Sequence, residues 1–340
     1  MAAAGYLPHQ WFIACASPTL GRKPIACTIQ DTPLVLFRDG SGKAGALLDR
    51  CPHRNIPLSA GRIADGLLQC SYHGWRFDTS GTCRLVPALI GETDRKARRA
   101  ESYATAEHDG FVWVYSTPDA APIRAPYRFP SVDRHYTTIC RDLSLPGALR
   151  HALENALDVP HTAFLHGGLF RQSSRQNEIA VTIRRHDAGV EAEYVGEPRP
   201  SGIVGRLLAP GGGVVEHVDR FIMPSIAQVE YRLGADNHLL NTTAMTPVSA
   251  FETRIWAVIQ LRLRLPSGLV APLVTPLAMR ILRQDGGILG LQSAAIRRFG
   301  GEHFTSTEVD VLGPHIWKLL AAAETGDMPA PFEHRLTMRV

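Results

Sequence analysis

The sequence predicts an α+β protein in two parts, a small all-β unit followed by a larger unit in which helices bracket an antiparallel sheet. Three observations support this. Between Trp11 and Val114, short apolar segments are separated by Gly and Asp turn signals, the pattern of a small β domain. Pro118, Pro122, Pro126 and Pro130 then crowd one short window, as in an extended linker. Beyond it, helical and strand periodicities follow one another in longer blocks. The expected boundaries are 1–117 for the first domain, 118–134 for the linker and 135–340 for the second domain.

In the first part, Pro33 to Phe37, Ala44 to Leu48 and Phe111 to Tyr115 read as strands, with Asp39-Gly-Ser-Gly42 as a turn between the first two. In the second part, Gly147 to Leu165 has few turn residues and helical spacing of apolar side chains, whereas Ile179 to Tyr194 alternates like a strand. Glu216 to Arg232, His238 to Pro247 and Thr253 to Arg264 read as a meander, with Gly234 to Asn237 as one hairpin turn. Pro272 to Phe299 and Thr307 to Ala323 read as closing helices. No internal repeat is visible. Gly211-Gly-Gly213 reads as a flexible loop, and no Gly-rich dinucleotide fingerprint follows a strand. The chain is therefore not expected to bind nicotinamide or flavin itself.

Bulk composition narrows the class without choosing a function. Of 340 residues, 45% are apolar and 20% charged, with 36 basic residues against 32 acidic ones for a formal charge of +4. These values describe a globular chain. One short basic cluster, Arg95, Lys96, Arg98 and Arg99, reads as a solvated turn rather than a nucleic-acid patch, or as a docking spot for an acidic redox partner. Met1 to Trp11 lacks the pattern of a signal peptide. Leu265 to Leu282 is interrupted by Pro266, Pro272, Pro276 and Arg280, so no bilayer span is expected and a cytoplasmic location is. Six cysteines in a chain of this length point to metal or redox chemistry rather than a disulfide framework.

Two of those cysteines belong to a repeated pattern. Cys51-Pro-His53 is followed by Cys70-Ser-Tyr-His73, so each loop offers one thiolate and one imidazole. Two such loops can enclose a two-iron, two-sulfur cluster in which one iron takes both cysteines and the other both histidines. Neutral imidazoles make the site less negative and raise its potential into a window of about −150 to +300 mV. A structural zinc site usually takes two cysteines from one turn and two histidines from another, which the alternating order opposes. Trp75 and Tyr72 are candidates to pack around the cluster. Cys83 reads as a buried core thiol, as do Cys15, Cys27 and Cys140. The segments Cys51 to Leu58 and Cys70 to Asp78 resemble the cluster loops of Rieske ferredoxins and Rieske oxygenases. Respiratory Rieske proteins tie these loops together with two extra cysteines. Ile56 and Tyr72 stand at the matching positions, so the resemblance is to the soluble branch.

A ferredoxin would end near residue 115. The remaining chain contains Glu154-Asn-Ala-Leu-Asp158-Val-Pro-His161, followed at His166 by a second histidine. Two histidines and a carboxylate on one face of an Fe(II) ion leave the other face open. The run Asn155, Asp158, His161 and His166 resembles the iron motif of the Rieske non-haem iron oxygenases. That resemblance implies that His161 and His166 ligate the iron and that Asn155 lies near it. It also implies that Asp158 bonds a ligand histidine and, across a subunit boundary, a cluster histidine. Asp285 resembles the family's late third ligand, with Glu308 and Asp310 competing. Gly286, Gly287 and Gly290 depart from the family pattern and are expected to loosen their helix. His151 reads as a surface residue.

The resemblance implies a helix-grip-like catalytic domain carrying a mononuclear Fe(II), alongside one [2Fe–2S] cluster. It further implies O2 as co-substrate, a separate reductase or ferredoxin that draws on NAD(P)H, and a head-to-tail homotrimer. Short single-subunit members resemble monooxygenases and oxidative demethylases, which is the leading expectation. An aromatic-ring dihydroxylating dioxygenase is one alternative, and an electron carrier with a non-catalytic second domain is another. The apolar stretches Gly202 to Ala209 and Leu265 to Leu282 hint at a small apolar organic substrate, polycyclic or sterol-like.

Overall fold

The computed structural model describes residues 6–167, 177–197, 215–234, 237–263, 267–325 and 328–339. Contacts divide the chain between Arg128 and Phe129. The Pro-rich stretch up to Arg128 groups with the first unit, where the Trp11 indole N–H donates to the Arg124 carbonyl at 2.7 Å.

In the N-terminal unit, three small antiparallel sheets form from short strands. Trp11–Ala16, Phe111–Tyr115 and Thr105–His108 make the first, and Ile25–Ile29, Thr32–Arg38, Ala44–Leu48 and Ser102–Tyr103 the second. Arg62–Ala64, Leu67–Gln69, Arg76–Phe77 and Cys83–Leu85 make the third. Beneath the loops that carry the Cys/His pairs lies a core of Val35, Phe37, Leu47, Leu58, Leu68, Phe77 and Cys83. Cys83 is therefore the buried thiol expected; Cys140, by contrast, is exposed because it lies on an edge strand.

The second unit is organised by one eight-stranded antiparallel sheet. Its strands are β1 (Thr137–Leu145), β2 (Glu178–His186), β3 (Gly189–Val195), β4 (Val215–Ile222), β5 (Ile226–Leu233), β6 (Asn237–Ser249), β7 (Glu252–Arg262) and β8 (Phe332–Arg339). They run in the order β1-β7-β6-β5-β4-β3-β2-β8. The segment read as Glu216 to Arg232 is in fact two strands, turning at Met223–Ser225. The expected turn at Gly234 to Asn237 falls partly outside the described residues, although Leu233 pairs with Asn237 on either side of it.

Among the described residues, four helices accompany the sheet: α1 (Leu149–Leu157), α2 (Thr162–Leu165), α3 (Ser267–Phe299) and α4 (Gly313–Thr325). α3 lays an apolar stripe against the sheet, with Val270 in the core and Val274, Leu277 and Ile281 packed around Ile139, Ile259 and Leu261. Helical spacing puts these residues on one face. α3 also runs unbroken through Gly286, Gly287 and Gly290, contrary to the expected loosening. Two of those glycines are where the helix comes nearest the chain linking β1 to α1. A Cβ at Gly286 would meet Leu145 at 3.3 Å, and one at Gly290 would meet Pro146 at 3.2 Å. Tertiary packing outweighs the roughly 1 kcal/mol helix cost of each glycine. His151 is not a surface residue as expected. It is 2% exposed, because its α1 position turns it toward Trp317 and Phe304.

Candidate metal centres

The two Cys/His loops share one backbone pattern. The Cys51 N–H donates to the Ile56 carbonyl and the Cys70 N–H to the Trp75 carbonyl, each at 2.8 Å. The Asn55 N–H returns to the Cys51 carbonyl and the Gly74 N–H to the Cys70 carbonyl. Closing so tight a loop needs a left-handed residue at its fourth step, and Asn55 (φ 58°) and Gly74 (φ 71°) supply it. Asparagine and glycine adopt this conformation most cheaply.

These loops bring the four predicted side chains together. Cys51 and Cys70 are each 2% exposed, and the His53 and His73 rings lie 4.5 Å apart. Burial raises the Cys51 thiol to about 11; N–H groups of His53 and Arg54 oppose that shift, and the neighbouring Cys70 sulfur adds to it. His53 Nδ1 is buried without a hydrogen-bond partner among the described residues, an orphan that a metal would satisfy. Two soft thiolates and two imidazoles so arranged fit a [2Fe–2S] cluster. Trp75 stacks on His53 at 4.7 Å, with an interplanar angle of 5°. Tyr72 touches His73 but is 62% exposed, so of the two expected shields only the tryptophan covers the site.

In the second unit, α1 stops at Leu157 because Pro160 disfavours helical geometry at the residue before it. Asp158 caps the break in extended conformation, and the chain re-enters a single turn, α2, flanked by His161 and His166. The His161 Nδ1–H donates to the Asp158 carbonyl at 2.5 Å, and the His161 main-chain N–H donates to Asp158 Oδ2 at 3.2 Å. The His166 Nδ1 pairs with Gln284 Oε1 at 3.0 Å. Acceptors on both Nδ1 atoms keep the protons there, so both Nε2 atoms would present lone pairs to a metal that takes the place of any Nε2 proton.

Those lone pairs converge on α3. Asp285 extends the stripe Val270, Val274, Leu277, Ile281 by one further turn, so helical periodicity aims its carboxylate at the sheet and not at solvent. Its Oδ1 lies 3.0 Å from His166 Nε2 and 3.7 Å from His161 Nε2. All three ligand atoms fall within 4.8 Å of one another. Oδ1 is buried, yet among the described residues it accepts no well-aligned hydrogen bond. A cation at this point would serve all three atoms, and two histidines with one carboxylate fit Fe(II). Burial lowers the basicity of His161, but Asp158 and Asp285 outweigh it and hold the ring at about 9. Burial likewise raises Asp285, and His161 and His166 reverse this to leave it below its ordinary value.

The competing carboxylates go elsewhere. Asp310 accepts the Thr307 N–H at 2.6 Å, and Glu308 is exposed. Asn155 lines the same 240 Å³ cavity as His161, His166 and Asp285. Asp158 instead lines a separate, open pocket of 470 Å³ with Glu154, Asp310 and Val309. Glu154 was not singled out from sequence. Burial, then Asp310 and Asp158, raise it to about 7.

A two-loop Cys/His site and a two-histidine, one-carboxylate site on one chain define a class of redox enzymes that couple an electron store to an O2-binding iron. Comparison with known proteins agrees. The Rieske [2Fe-2S] domain matches residues 10–94. The vanillate O-demethylase oxygenase C-terminal domain matches residues 148–325, more than half of the chain. The oxygenase component of dicamba O-demethylase from Stenotrophomonas maltophilia is 28% identical over 85% of this chain and 76% of its own length. Methylxanthine N3-demethylase of Pseudomonas putida is 27% identical over 75% of this chain and 73% of its own. Among solved structures, dicamba monooxygenase bound to 3,6-dichlorosalicylic acid superposes with a TM-score of 0.81 at 21% identity, covering 95% of this chain and 99% of that one. The chain belongs to the Rieske non-haem iron oxygenases, and it is an oxygenase of the demethylase and monooxygenase type. Its first domain is of the Rieske [2Fe–2S] type, and one superposing structure of dicamba monooxygenase contains non-haem iron.

Proposed function

We propose that this protein is the terminal component of an oxidative demethylase acting on a small, mainly apolar aromatic methyl ether or N-methyl compound. One observation carries the reading: the atoms suited to hold iron open into a cavity walled chiefly by Val229, Leu239, Met245, Ile255, Ile259 and Leu277. Such a wall accepts an aromatic ring and keeps bulk water from the reacting methyl group. At 240 Å³, the cavity lies below the roughly 300–1,000 Å³ of drug-sized pockets. A single or fused small ring suits it better than the sterol-like substrate expected from the apolar stretches. Of those stretches, Gly202 to Ala209 lies outside the described residues. The names of the relatives point the same way, since dicamba, methylxanthines and vanillate are small ring compounds.

In this reading Cys51, His53, Cys70 and His73 would hold the cluster, and His161, His166 and Asp285 the iron. The cluster would supply single electrons and the iron the means to react O2 with a C–H bond. The Asp158 backbone carbonyl keeps the proton on His161 Nδ1, and Gln284 does the same for His166. Both rings are thereby held with Nε2 toward the cavity. Asp158 presents its carboxylate to the open pocket beyond, which suits contact with the cluster domain of a second copy in a homotrimer. A separate reductase or ferredoxin would bring electrons from NAD(P)H. Among the described residues no helix is long and apolar enough to cross a membrane.

The test is substrate-dependent O2 consumption with a surrogate reductase, scored by formaldehyde release from a panel of methoxylated and N-methylated aromatics. Formaldehyde matched to O2 uptake supports the proposal. Electron uptake by the cluster with no O2 consumption on any substrate would make the protein a carrier instead.

A further inference from the structure

Alternation along β6 sends Leu239, Asn241, Thr243 and Met245 to the cavity face. Asn241 is the one amide among the β6 residues that line the cavity, and its neighbours across the sheet are Ile259 on β7 and Val229 on β5. Both neighbours also line the cavity. Neither has a polar side-chain atom, and the Asn241 Oδ1 is buried without a hydrogen-bond partner among the described residues. A buried carbonyl oxygen in that state costs on the order of 1–3 kcal/mol relative to a paired one. Pairing it is therefore available to any ligand that brings a donor.

The charge of the cavity is as informative as its polarity. Among the described residues that line it there is no lysine or arginine. Its ionisable groups are Tyr231, the two histidines and Asp285. The histidines direct Nε2 at Asp285, and their Nδ1 atoms are taken by the Asp158 carbonyl and Gln284. An anionic substrate would lose its hydration here with no lysine or arginine to replace it.

We infer that Asn241 is a specificity-determining residue, and that it selects an uncharged aromatic substrate bearing a hydrogen-bond donor, such as a phenolic O–H or a ring N–H, over an aromatic carboxylate. The inference rests on the reading of this cavity as the substrate site. Tyr231 and Thr243 flank the amide on the same face. The apolar remainder of the wall holds the ring while Asn241 fixes which edge of it points away from the iron ligands. The donor would thus orient the substrate as well as bind it.

Three probes of matched shape separate these contributions: 4-methoxyphenol (neutral, with a donor), anisole (neutral, without one) and 4-methoxybenzoate (anionic). Their binding to the holoenzyme is measured by calorimetry, independently of turnover. In the wild type, 4-methoxyphenol is expected to bind about tenfold or more tighter than either of the others, the effect of one satisfied buried hydrogen bond. Asn241→Leu, nearly isosteric, should bring 4-methoxyphenol down to the level of anisole. Asn241→Asp keeps an acceptor and should keep the preference for the phenol over anisole. Equal or tighter binding of 4-methoxybenzoate overturns the inference. So does failure of 4-methoxyphenol to bind, or a phenol preference that survives in Asn241→Leu protein with wild-type melting behaviour. Formaldehyde release is scored separately. Binding preferences as expected but no turnover of any methyl compound would sink the demethylase reading and leave the selectivity of Asn241 standing.

Discussion

Two places in the catalytic unit set histidine between carboxylates, and they do opposite things. His217, on β4, is 1% exposed. Its Nδ1 lies 2.6 Å from Glu197 Oε2 and its Nε2 2.9 Å from Asp219 Oδ1, and the ring is sandwiched between Tyr194 and Tyr231. Both nitrogens are spent on protein acceptors, so no lone pair is left for a metal. At His161 and His166 only the Nδ1 atoms face backbone or side-chain acceptors outside the site. The two Nε2 atoms share a single oxygen of Asp285 that has no aligned donor. The same residue types give a closed ion cluster in one case and a candidate metal site in the other. What separates them is which nitrogen is already paired.

The largest effect expected from this contrast is on iron. His161→Ala should lower iron content from about three atoms per chain to about two. It should abolish product formation while leaving the visible absorption of the cluster intact. His217→Leu should leave iron content unchanged in the folded protein. Metal analysis of both variants decides the matter: loss of iron from well-folded His217→Leu, or retention of full iron by His161→Ala, would erase the distinction.

For His217 the cost falls on stability instead. Removing the imidazole leaves Glu197 and Asp219 buried together without a cation, which typically costs about 3–5 kcal/mol. Denaturant unfolding of His217→Leu measures it. The pH dependence follows from the same cluster. Burial would lower the ring's basicity, but Asp219 and Glu197 outweigh it and raise His217 to about 9. A histidine whose folded value lies above its unfolded value of about 6.5 stabilises fully below that unfolded value. The stabilisation is then lost as pH climbs through the folded value. On the order of 3 kcal/mol should therefore disappear from the wild type between about pH 6.5 and 9. The loss should be missing in His217→Leu. A flat wild-type profile across that window would contradict the assignment of His217 as a buried imidazolium.

Next comes Asp158→Asn, expected to lower coupled turnover by about 10- to 100-fold with iron retained, as for other groups that orient a ligand histidine. The main-chain carbonyl of Asp158 survives the change and still fixes the His161 tautomer. The variant thus reports on the carboxylate alone. Full coupled turnover in Asp158→Asn would remove it from any role between the two metal sites.

The contrast also explains what could be read from the sequence. The candidate cluster site was legible because its four expected ligands sit on two short loops, each closed by local hydrogen bonds. His161 and His166 were legible for the same reason. Asp285 comes from a distant helix and was reached only through its resemblance to the family's late third ligand; its phase with the apolar stripe of α3 shows in the structure. Glu197, His217 and Asp219 carry no such mark: they meet only when β4 lies beside β3, and each alone reads as an ordinary polar residue. Asn241 was hidden in the same way, by a period-two pattern whose two faces are both largely buried. β8 was missed because its mixed sequence Phe-Glu-His-Arg-Leu-Thr-Met-Arg belongs to an edge strand that is exposed along most of its length. Gly286 and Gly290 misled, because their purpose is a close approach to Leu145 and Pro146 that no local rule encodes.

The smallest effect expected concerns Glu154, which burial, then Asp310 and Asp158, lift to about 7. Its shift has the opposite meaning to that of His217. A carboxyl group whose folded value exceeds its unfolded value of about 4.3 costs nothing at low pH and destabilises increasingly as pH rises through that window. Glu154→Gln removes the ionisation and keeps the shape and a hydrogen-bonding amide. Its melting temperature should match the wild type near pH 4 and exceed it by a few degrees at pH 8. The two profiles then cross the same pH axis in different senses: the wild type loses a stabilising charge at His217, and Glu154→Gln relieves a destabilising one. A melting difference as large at pH 4 as at pH 8 would mean that packing against Gly313, and not charge, governs the site, since the Glu154 side chain fills the space where a Cβ at Gly313 would lie.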